Sequence, residues 1–190
     1  MKRFLLLLPL LLLTLTGCAT LNESQCLTAD WSELGRQDGR AGYTSSRLAE
    51  HREACIKHGI RPDERRYADG RAQGLQDYCV LENAVREGMN GRTYQGVCAS
   101  FIDRDFRDLN DAAYRVYKAR KDIDVIDNQI DVLERELRND KTSEKRRQSI
   151  RDDIRELDRK RDRLRDEVRR SERELDGTTT RLLGPNSRRY

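Results

Sequence analysis

Residues 109–137 read LNDAAYRVYKARKDIDVIDNQIDVLEREL, and residues 150–175 read IRDDIRELDRKRDRLRDEVRRSEREL. In each stretch the apolar residues recur at alternating spacings of three and four, the heptad pattern of helices that pack along a single seam. The first ladder is Leu109, Ala112, Val116, Ala119, Ile123, Ile126, Ile130, Leu133 and Leu137. The second ladder is Ile150, Ile154, Leu157, Arg161, Leu164, Val168, Ser171 and Leu175.

Only a short polar segment separates the two ladders, and two helices joined by so short a loop must run antiparallel. The matching register sets Leu133 against Ile150 near the loop and Leu109 against Leu175 at the far end. We therefore predict an all-α fold that ends in a long antiparallel coiled-coil hairpin over residues 101–176. Each arm is expected to be about 45 Å long at 1.5 Å per residue.

The composition agrees with an extended helical protein. Of the 190 residues, 38% are charged, 36% are hydrophobic and 6% are aromatic, whereas an ordinary soluble domain is about 45–50% apolar and about 25% charged. This balance excludes the large core of an α/β enzyme. The net charge of +4 comes from 38 basic and 34 acidic residues, which is too even for a polybasic nucleic-acid binder, so we expect no nucleic-acid partner.

The first residues have the pattern of a secretion signal. Lys2 and Arg3 precede an apolar run over residues 4–13, and this run is shorter than the roughly 20 residues that a membrane-spanning helix needs. We interpret residues 1–17 as a removable signal peptide.

The residues LTGC that end at Cys18 resemble the bacterial lipobox. The resemblance implies cleavage before Cys18, acylation of its thiol and amino group, and stable anchoring in a membrane. Ala19 in place of Asp implies an outer-membrane address, with the protein facing the periplasm from the inner leaflet. Residues 18–25 are then a lipidated linker. The alternative is an ordinary secreted protein with a chance cysteine.

Four cysteines remain, and they are expected to form disulfides because the periplasm is oxidising. Four cysteines allow three pairings. We favour Cys26–Cys55 and Cys79–Cys98 because both close short loops between successive elements, each contributing about 2–4 kcal/mol. All four fall in a Gly/Cys-rich module over residues 26–100.

A zinc site is the alternative use of one of these cysteines. His51, Cys55 and His58 are spaced i, i+4 and i+7 on one predicted helix face, which could in principle ligate zinc. No CxxC pair supports this alternative, and a second cysteine is the better partner for Cys55. We therefore predict no metal and no cofactor.

Acid–base chemistry has few candidates in the module. His51, His58, Asp38 and Asp69 are the residues that could move a proton. No nucleophile elbow, phosphate loop or paired-carboxylate motif accompanies them. We predict no catalytic residues and expect a non-enzymatic role.

The module is predicted to contain short helices near residues 31–40, 46–58, 63–78 and 82–87. Its repeated motif consists of Trp31-x3-Gly35-x2-Asp38-Gly39-x2-Gly42, His51-x3-Cys55, Tyr67-x2-Gly70-Arg71-x2-Gly74-Leu75-x2-Tyr78-Cys79 and Gly88-x2-Gly91-x2-Tyr94-x-Gly96-Val97-Cys98.

These motifs resemble a family of proteobacterial lipoproteins known only as a domain of unknown function, over residues 26–115. The resemblance implies secretion, lipid anchoring and the Gly/Cys module, and it supplies no activity, substrate or catalytic residue. Members of the family often carry a Gly near Ala113, in the stretch after Phe106, and the alanine here favours a continuous helix.

Two functions are compatible with these features. In the first, the protein is an envelope lipoprotein whose hairpin docks an envelope protein, with self-association of the hairpin as a variant. In the second, the hairpin is a spacer and the module over residues 26–100 either binds a glycan or peptide or has an enzymatic activity that no motif marks. Its ligand groove is then lined by Trp31, Tyr43, Tyr67, Tyr78 and Tyr94. In both, Gly177 is expected to end the second arm, and residues 177–190 form a disordered basic tail.

Overall fold

A computed structural model describes residues 20–185, and within this range the chain forms seven α-helices and no strand. The all-α prediction is confirmed. Among the described residues no helix is both long and apolar enough to cross a bilayer. The helices are α1 (Glu23–Leu27), α2 (Trp31–Arg40), α3 (Ser46–Ile56), α4 (Glu64–Tyr78), α5 (Leu81–Met89), α6 (Ser100–Leu137) and α7 (Glu144–Leu183).

Glycines bring α2 and α4 into backbone contact. A Cβ built on Gly35 would lie 2.1 Å from the carbonyl oxygen of Tyr67, and one built on Gly74 would lie 2.1 Å from the carbonyl oxygen of Arg36. These distances are too short for any side chain, so the helices approach this closely only because both carry glycine at the contact.

The helices α5 and α6 repeat this arrangement. A Cβ on Gly88 would lie 2.5 Å from the carbonyl oxygen of Asn110 and 2.7 Å from the Cβ of Ala113. The glycine three residues later, Gly91, has a φ of +78° and touches the ring of Tyr117. In the same way Gly42, three residues after Gly39 of α2, has a φ of +73° and touches the ring of Tyr78. The module therefore contains two similarly packed helix pairs. The helix α6 runs unbroken past Ala113, as predicted.

The two disulfides join Cys26 to Cys55 and Cys79 to Cys98, which confirms the favoured pairing. Each lies beside its own apolar core. The first core contains Leu21, Cys26, Trp31, Ala54, Cys55 and Tyr67. The second core contains Tyr78, Ala84, Val85, Tyr94, Phe106, Leu109, Ala112, Ala113, Val116 and Leu175.

The second core crosses the boundary expected near residue 100. It combines Val85 and Tyr94 of the module with Phe106 and Val116 of α6 and Leu175 of α7. The base of the hairpin is thus part of the module rather than a separate domain, because α6 begins immediately after the second disulfide and packs directly on α5.

The helices α6 and α7 form the predicted antiparallel hairpin. Every residue of both heptad ladders is buried or half-buried, so the predicted seam is the contact face of each helix. The antiparallel direction is visible in ion pairs whose residue numbers fall along α6 as they rise along α7. These pairs are Glu136–Arg146, Asp127–Arg161, Arg120–Glu172, Arg115–Glu174 and Asp108–Arg181. The layer-by-layer pairing of seam residues stays a prediction.

Arg147 closes the tip of the hairpin. Its guanidinium donates to the main-chain oxygens of Leu137, Asn139 and Thr142 at 2.7–3.0 Å. The last carbonyls of a helix lack partners within the helix, so this arginine satisfies groups at the end of α6. Ser143 accepts a hydrogen bond from the main-chain N–H of Arg146 and caps α7.

The end of the second arm was predicted wrongly. The helix α7 continues through Gly177 to Leu183, and Gly184, with a φ of +85°, follows it. Tertiary packing outweighs the weak helix propensity of glycine here, because Thr179 is buried and Leu182 and Leu183 pack against the second core. Residues 186–190 of the predicted tail lie outside the described residues.

A pair of glycine substitutions tests the contact between α2 and α4. We expect Gly74→Ala to lower the free energy of unfolding by about 1–3 kcal/mol, the usual cost of overpacking. The control is Gly177→Ala, because a Cβ there meets nothing within 4 Å, and we expect it to stabilise α7 by about 0.5–1 kcal/mol. Urea unfolding followed by circular dichroism measures both. Equal stability of Gly74→Ala and the unchanged protein would contradict the close approach.

Candidate functional sites

The most connected polar cluster lies inside the first core. Nε2 of His51 lies 2.8 Å from Oδ2 of Asp38, and the hydroxyl of Tyr67 donates to the same oxygen at 2.6 Å. On the other side of the ring, Oγ1 of Thr20 lies 2.8 Å from Nδ1 of His51. We call these four residues the latch, because they tie the first described residue of the chain to α2, α3 and α4.

Each helix places one member of the latch. Asp38 lies between the two glycines of α2 that contact α4, and Tyr67 lies one turn before the first glycine of α4, so the close approach brings carboxylate and phenol together. Burial, and then the hydrogen bond to Asp38, raise the pKa of Tyr67. The phenol therefore remains a neutral donor to the carboxylate.

The order of hydroxyl, imidazole and carboxylate resembles that of a hydrolase triad. In the latch, however, a second donor occupies the carboxylate, and His51 and Asp38 are only 2% and 6% exposed. A buried polar network needs its groups satisfied in this way, while a hydrolase also needs a cleft for substrate at the hydroxyl. The geometry favours a structural latch.

The structure separates the four acid–base candidates. Asp38 and His51 meet, but His58 lies at the surface with Nδ1 3.8 Å from Glu23, and Asp69 is exposed on α4. Sequence reasoning missed Thr20, because a single threonine ahead of α1 carries no motif that predicts a partner.

The alternative zinc face lacks its sulfur ligand. Cys55 is bonded to Cys26, and a disulfide sulfur does not supply the thiolate that zinc requires. Within residues 20–185 no group of three His, Cys, Asp or Glu side chains is arranged to hold a metal ion.

The predicted aromatic groove does not form. Trp31 and Tyr67 are buried in the first core, Tyr78 and Tyr94 are buried in the second core, and only Tyr43 is exposed. The aromatic residues of the motif pack against the glycine-containing helices, so their spacing reflected two cores rather than one binding surface.

A second polar cluster supports the loop before α6. Asn110 accepts from the main-chain N–H of Tyr94 and donates to the carbonyls of Ala84 and Arg92 at 2.8–3.1 Å. The hydroxyl of Tyr94 donates to Asp103 at 2.6 Å. Burial, and then this hydrogen bond, raise the pKa of Tyr94 to about 12. The cluster fixes the loop of the second disulfide.

An apolar groove runs between the arms of the hairpin. It has a volume of about 650 Å³. On its α6 side lie Val125 and Val132, which are one heptad apart and each 54% exposed. On its α7 side it is lined by Leu157 and by the carboxylates of Asp153 and Glu156. We call this surface the arm groove.

A groove of similar size, about 640 Å³, lies beside the second disulfide. Leu75, Val97 and Ile102 are among the residues that line it, together with Cys79, Cys98 and Phe101. Phe101 is 86% exposed, so this groove offers an aromatic side chain to solvent at the first turn of α6.

Residues 30–114 match the model of a family described as a protein of unknown function (DUF2799). The match includes both glycine contacts and both members of the second disulfide, and it leaves α7 and most of the hairpin outside. No curated protein and no solved structure matches the chain. The chain thus carries a domain of unknown function, as the motifs indicated, and the match assigns no activity.

Removal of one hydroxyl tests the latch. We expect Tyr67→Phe to lower the free energy of unfolding by about 1–3 kcal/mol, because a buried carboxylate loses a donor. Tyr43→Phe is the matched control at an exposed tyrosine, and its effect should stay within about 0.5 kcal/mol. Urea unfolding followed by circular dichroism measures both. Equal effects of the two substitutions would show that the latch does not stabilise the fold.

Proposed function

We propose that this protein is a lipid-anchored lipoprotein of the bacterial envelope and that its hairpin is a docking arm for an envelope protein. The acylated residue is Cys18, and the address is the inner leaflet of the outer membrane, facing the periplasm. Support comes from the lipobox-like LTGC, from Ala19 behind it, and from two disulfides, which belong to an oxidising compartment. Residues 1–19 lie outside the described residues.

The arm groove is the observation that carries the docking role. A hairpin that served only as a spacer would need no exposed apolar residues beyond its seam, yet Val125 and Val132 add two exposed apolar side chains beside the seam of α6. A helix laid into such a groove contacts it through residues at heptad spacing.

The lining also indicates the character of the partner. Asp153 and Glu156 place two carboxylates at the edge of the groove, so the complementary helix carries basic residues beside its apolar stripe. We therefore propose an amphipathic helix of an envelope protein, apolar on one face and basic on its flank, as the occupant.

The anchor is tested by one substitution. We expect Cys18→Ser to abolish incorporation of labelled palmitate and to move the protein from the membrane pellet to the soluble fraction, since the serine offers no thiol for acylation. Fractionation of cells that express either form measures this. Palmitate-free wild-type protein would exclude lipid anchoring and leave a secreted protein.

The arm groove is tested by two substitutions that place negative charge in it. We expect the double variant Val125→Glu and Val132→Glu to lose its crosslinks to the partner, because two carboxylates would enter an apolar surface that already has an acidic edge. The readout is crosslinking in cells from a photoreactive residue at Asn128, inside the groove. Gln148→Glu with Ser149→Glu adds the same charge at exposed positions of α7 and should keep the crosslinks.

Two results would contradict the docking role. Crosslinks that persist equally in both double variants would show that the arm groove is not the docking surface. Crosslinks that join two copies of this chain would assign the groove to self-association.

The groove beside the second disulfide favours a second candidate function, binding of an apolar peptide by the module. Exposed Phe101 is the specific observation behind it. Phe101→Ala should then abolish binding of an apolar peptide library while the helical circular dichroism persists, and unchanged binding would remove this candidate.

A further inference from the structure

The folded part of the chain begins almost at the proposed lipid. Thr20 is already held by His51, Leu21 is 8% exposed in the first core, and Asn22 caps α1. The prediction of a linker over residues 18–25 is therefore wrong for residues 20–25, because they belong to the fold.

Only Ala19 separates Thr20 from Cys18. An extended chain spans at most about 3.6 Å per residue, so the Cα of Cys18 lies within about 7 Å of that of Thr20. Given the proposed acylation of Cys18, on which this inference rests, the first core is held at the bilayer surface and not on a flexible tether.

Two exposed apolar side chains lie near this point, beside the Glu23–His58 pair. Thr20 contacts His51, and the disulfide reaches Cys55, one turn further along the same face of α3. The residues that follow the two bonded cysteines, Leu27 and Ile56, are 66% and 53% exposed. They start from neighbouring points, because the Cα atoms of Cys26 and Cys55 are 5.4 Å apart.

We infer that Leu27, Ile56 and the exposed Lys57 form a membrane-contacting surface, which we call the anchor face. The two apolar side chains enter the interfacial region of the bilayer, and the ammonium group of Lys57 remains among the lipid headgroups. The lipid on Cys18 holds this face at a high effective concentration beside the membrane, so even a small apolar contact is occupied.

The latch controls this seating. When Thr20 is bonded to His51, Thr20 and the anchor face are parts of one rigid body. When the bond is lost, Leu21 becomes the first residue that the core holds, so the segment between the core and Cys18 lengthens by one residue, about 3.6 Å. The hydroxyl of Thr20 is therefore a positioning group for the whole protein.

The experiment uses full-length acylated protein in vesicles of phosphatidylethanolamine and phosphatidylglycerol, with and without dibrominated phosphatidylcholine as a quencher. Leu27→Trp places a reporter on the anchor face, and Val132→Trp places a matched reporter on the arm. Trp31 is buried and common to both, so the difference between them comes from the added indole. Mass spectrometry of the same sample reports the acyl chains.

We expect bromine to remove about half of the added emission of Leu27→Trp, because an interfacial side chain lies about 5–10 Å into the headgroup and acyl boundary. The emission of Val132→Trp should not change. In the Leu27→Trp protein, Thr20→Val should reduce the quenching, whereas Thr20→Ser, which keeps the hydroxyl, should retain it.

Failure of this inference is distinct from failure of the proposed anchor. Acylated Leu27→Trp protein that is quenched no more than Val132→Trp would overturn the anchor face while the lipid remains. A mass without acyl chains would overturn the proposed lipidation itself. A Leu27→Trp emission that is blue-shifted but not quenched by the brominated lipid would show that another part of the protein covers this surface. This result would also overturn the inference. If the Leu27→Trp protein is quenched equally with Thr20 and with Thr20→Val, the latch has no positioning role.

Discussion

The backbone contact between α2 and α4 is the constraint on which the rest of the first core depends. Without a Cβ at Gly35 and Gly74, the two helices approach until main-chain atoms touch. That distance brings Asp38 within reach of the Tyr67 hydroxyl, and the carboxylate in turn orients His51 toward Thr20. A backbone property of two glycines thus determines where the chain enters the fold, and through it where the proposed lipid sits relative to the protein.

Regular periodicity made the hairpin predictable. The two heptad ladders specified the helices and their contact faces, and the short polar segment between them specified the antiparallel direction. The disulfide pairing followed from loop lengths in the same local manner. The positions of Arg147 and Leu182 could not be predicted, because their partners are far along the chain or are main-chain oxygens that no residue pattern marks.

The motif of the module predicts the family match over residues 30–114, but the binding surface predicted from the same motif was wrong. Glycine and tyrosine at regular spacing are compatible with a tight contact between helices and with an aromatic groove. The two structures differ in whether the tyrosine rings are buried, which the sequence does not specify. In this chain the rings of Tyr78 and Tyr117 fill the space above Gly42 and Gly91. Two of the four latch residues, Asp38 and His51, were identified in the sequence as titratable candidates. Thr20 was not, because its contact with His51 depends only on proximity in the folded chain.

The base of the hairpin has a mechanical consequence. The helix α6 runs without interruption from Ser100 to Leu137, and the far end of α7 returns to the second core through Leu182 and Leu183. Both helices of the hairpin are therefore fixed in the second core at the same end of the hairpin. A force applied at the tip of the hairpin is therefore transmitted as torque to the second core. The packing of that core sets the angle between the hairpin and the module.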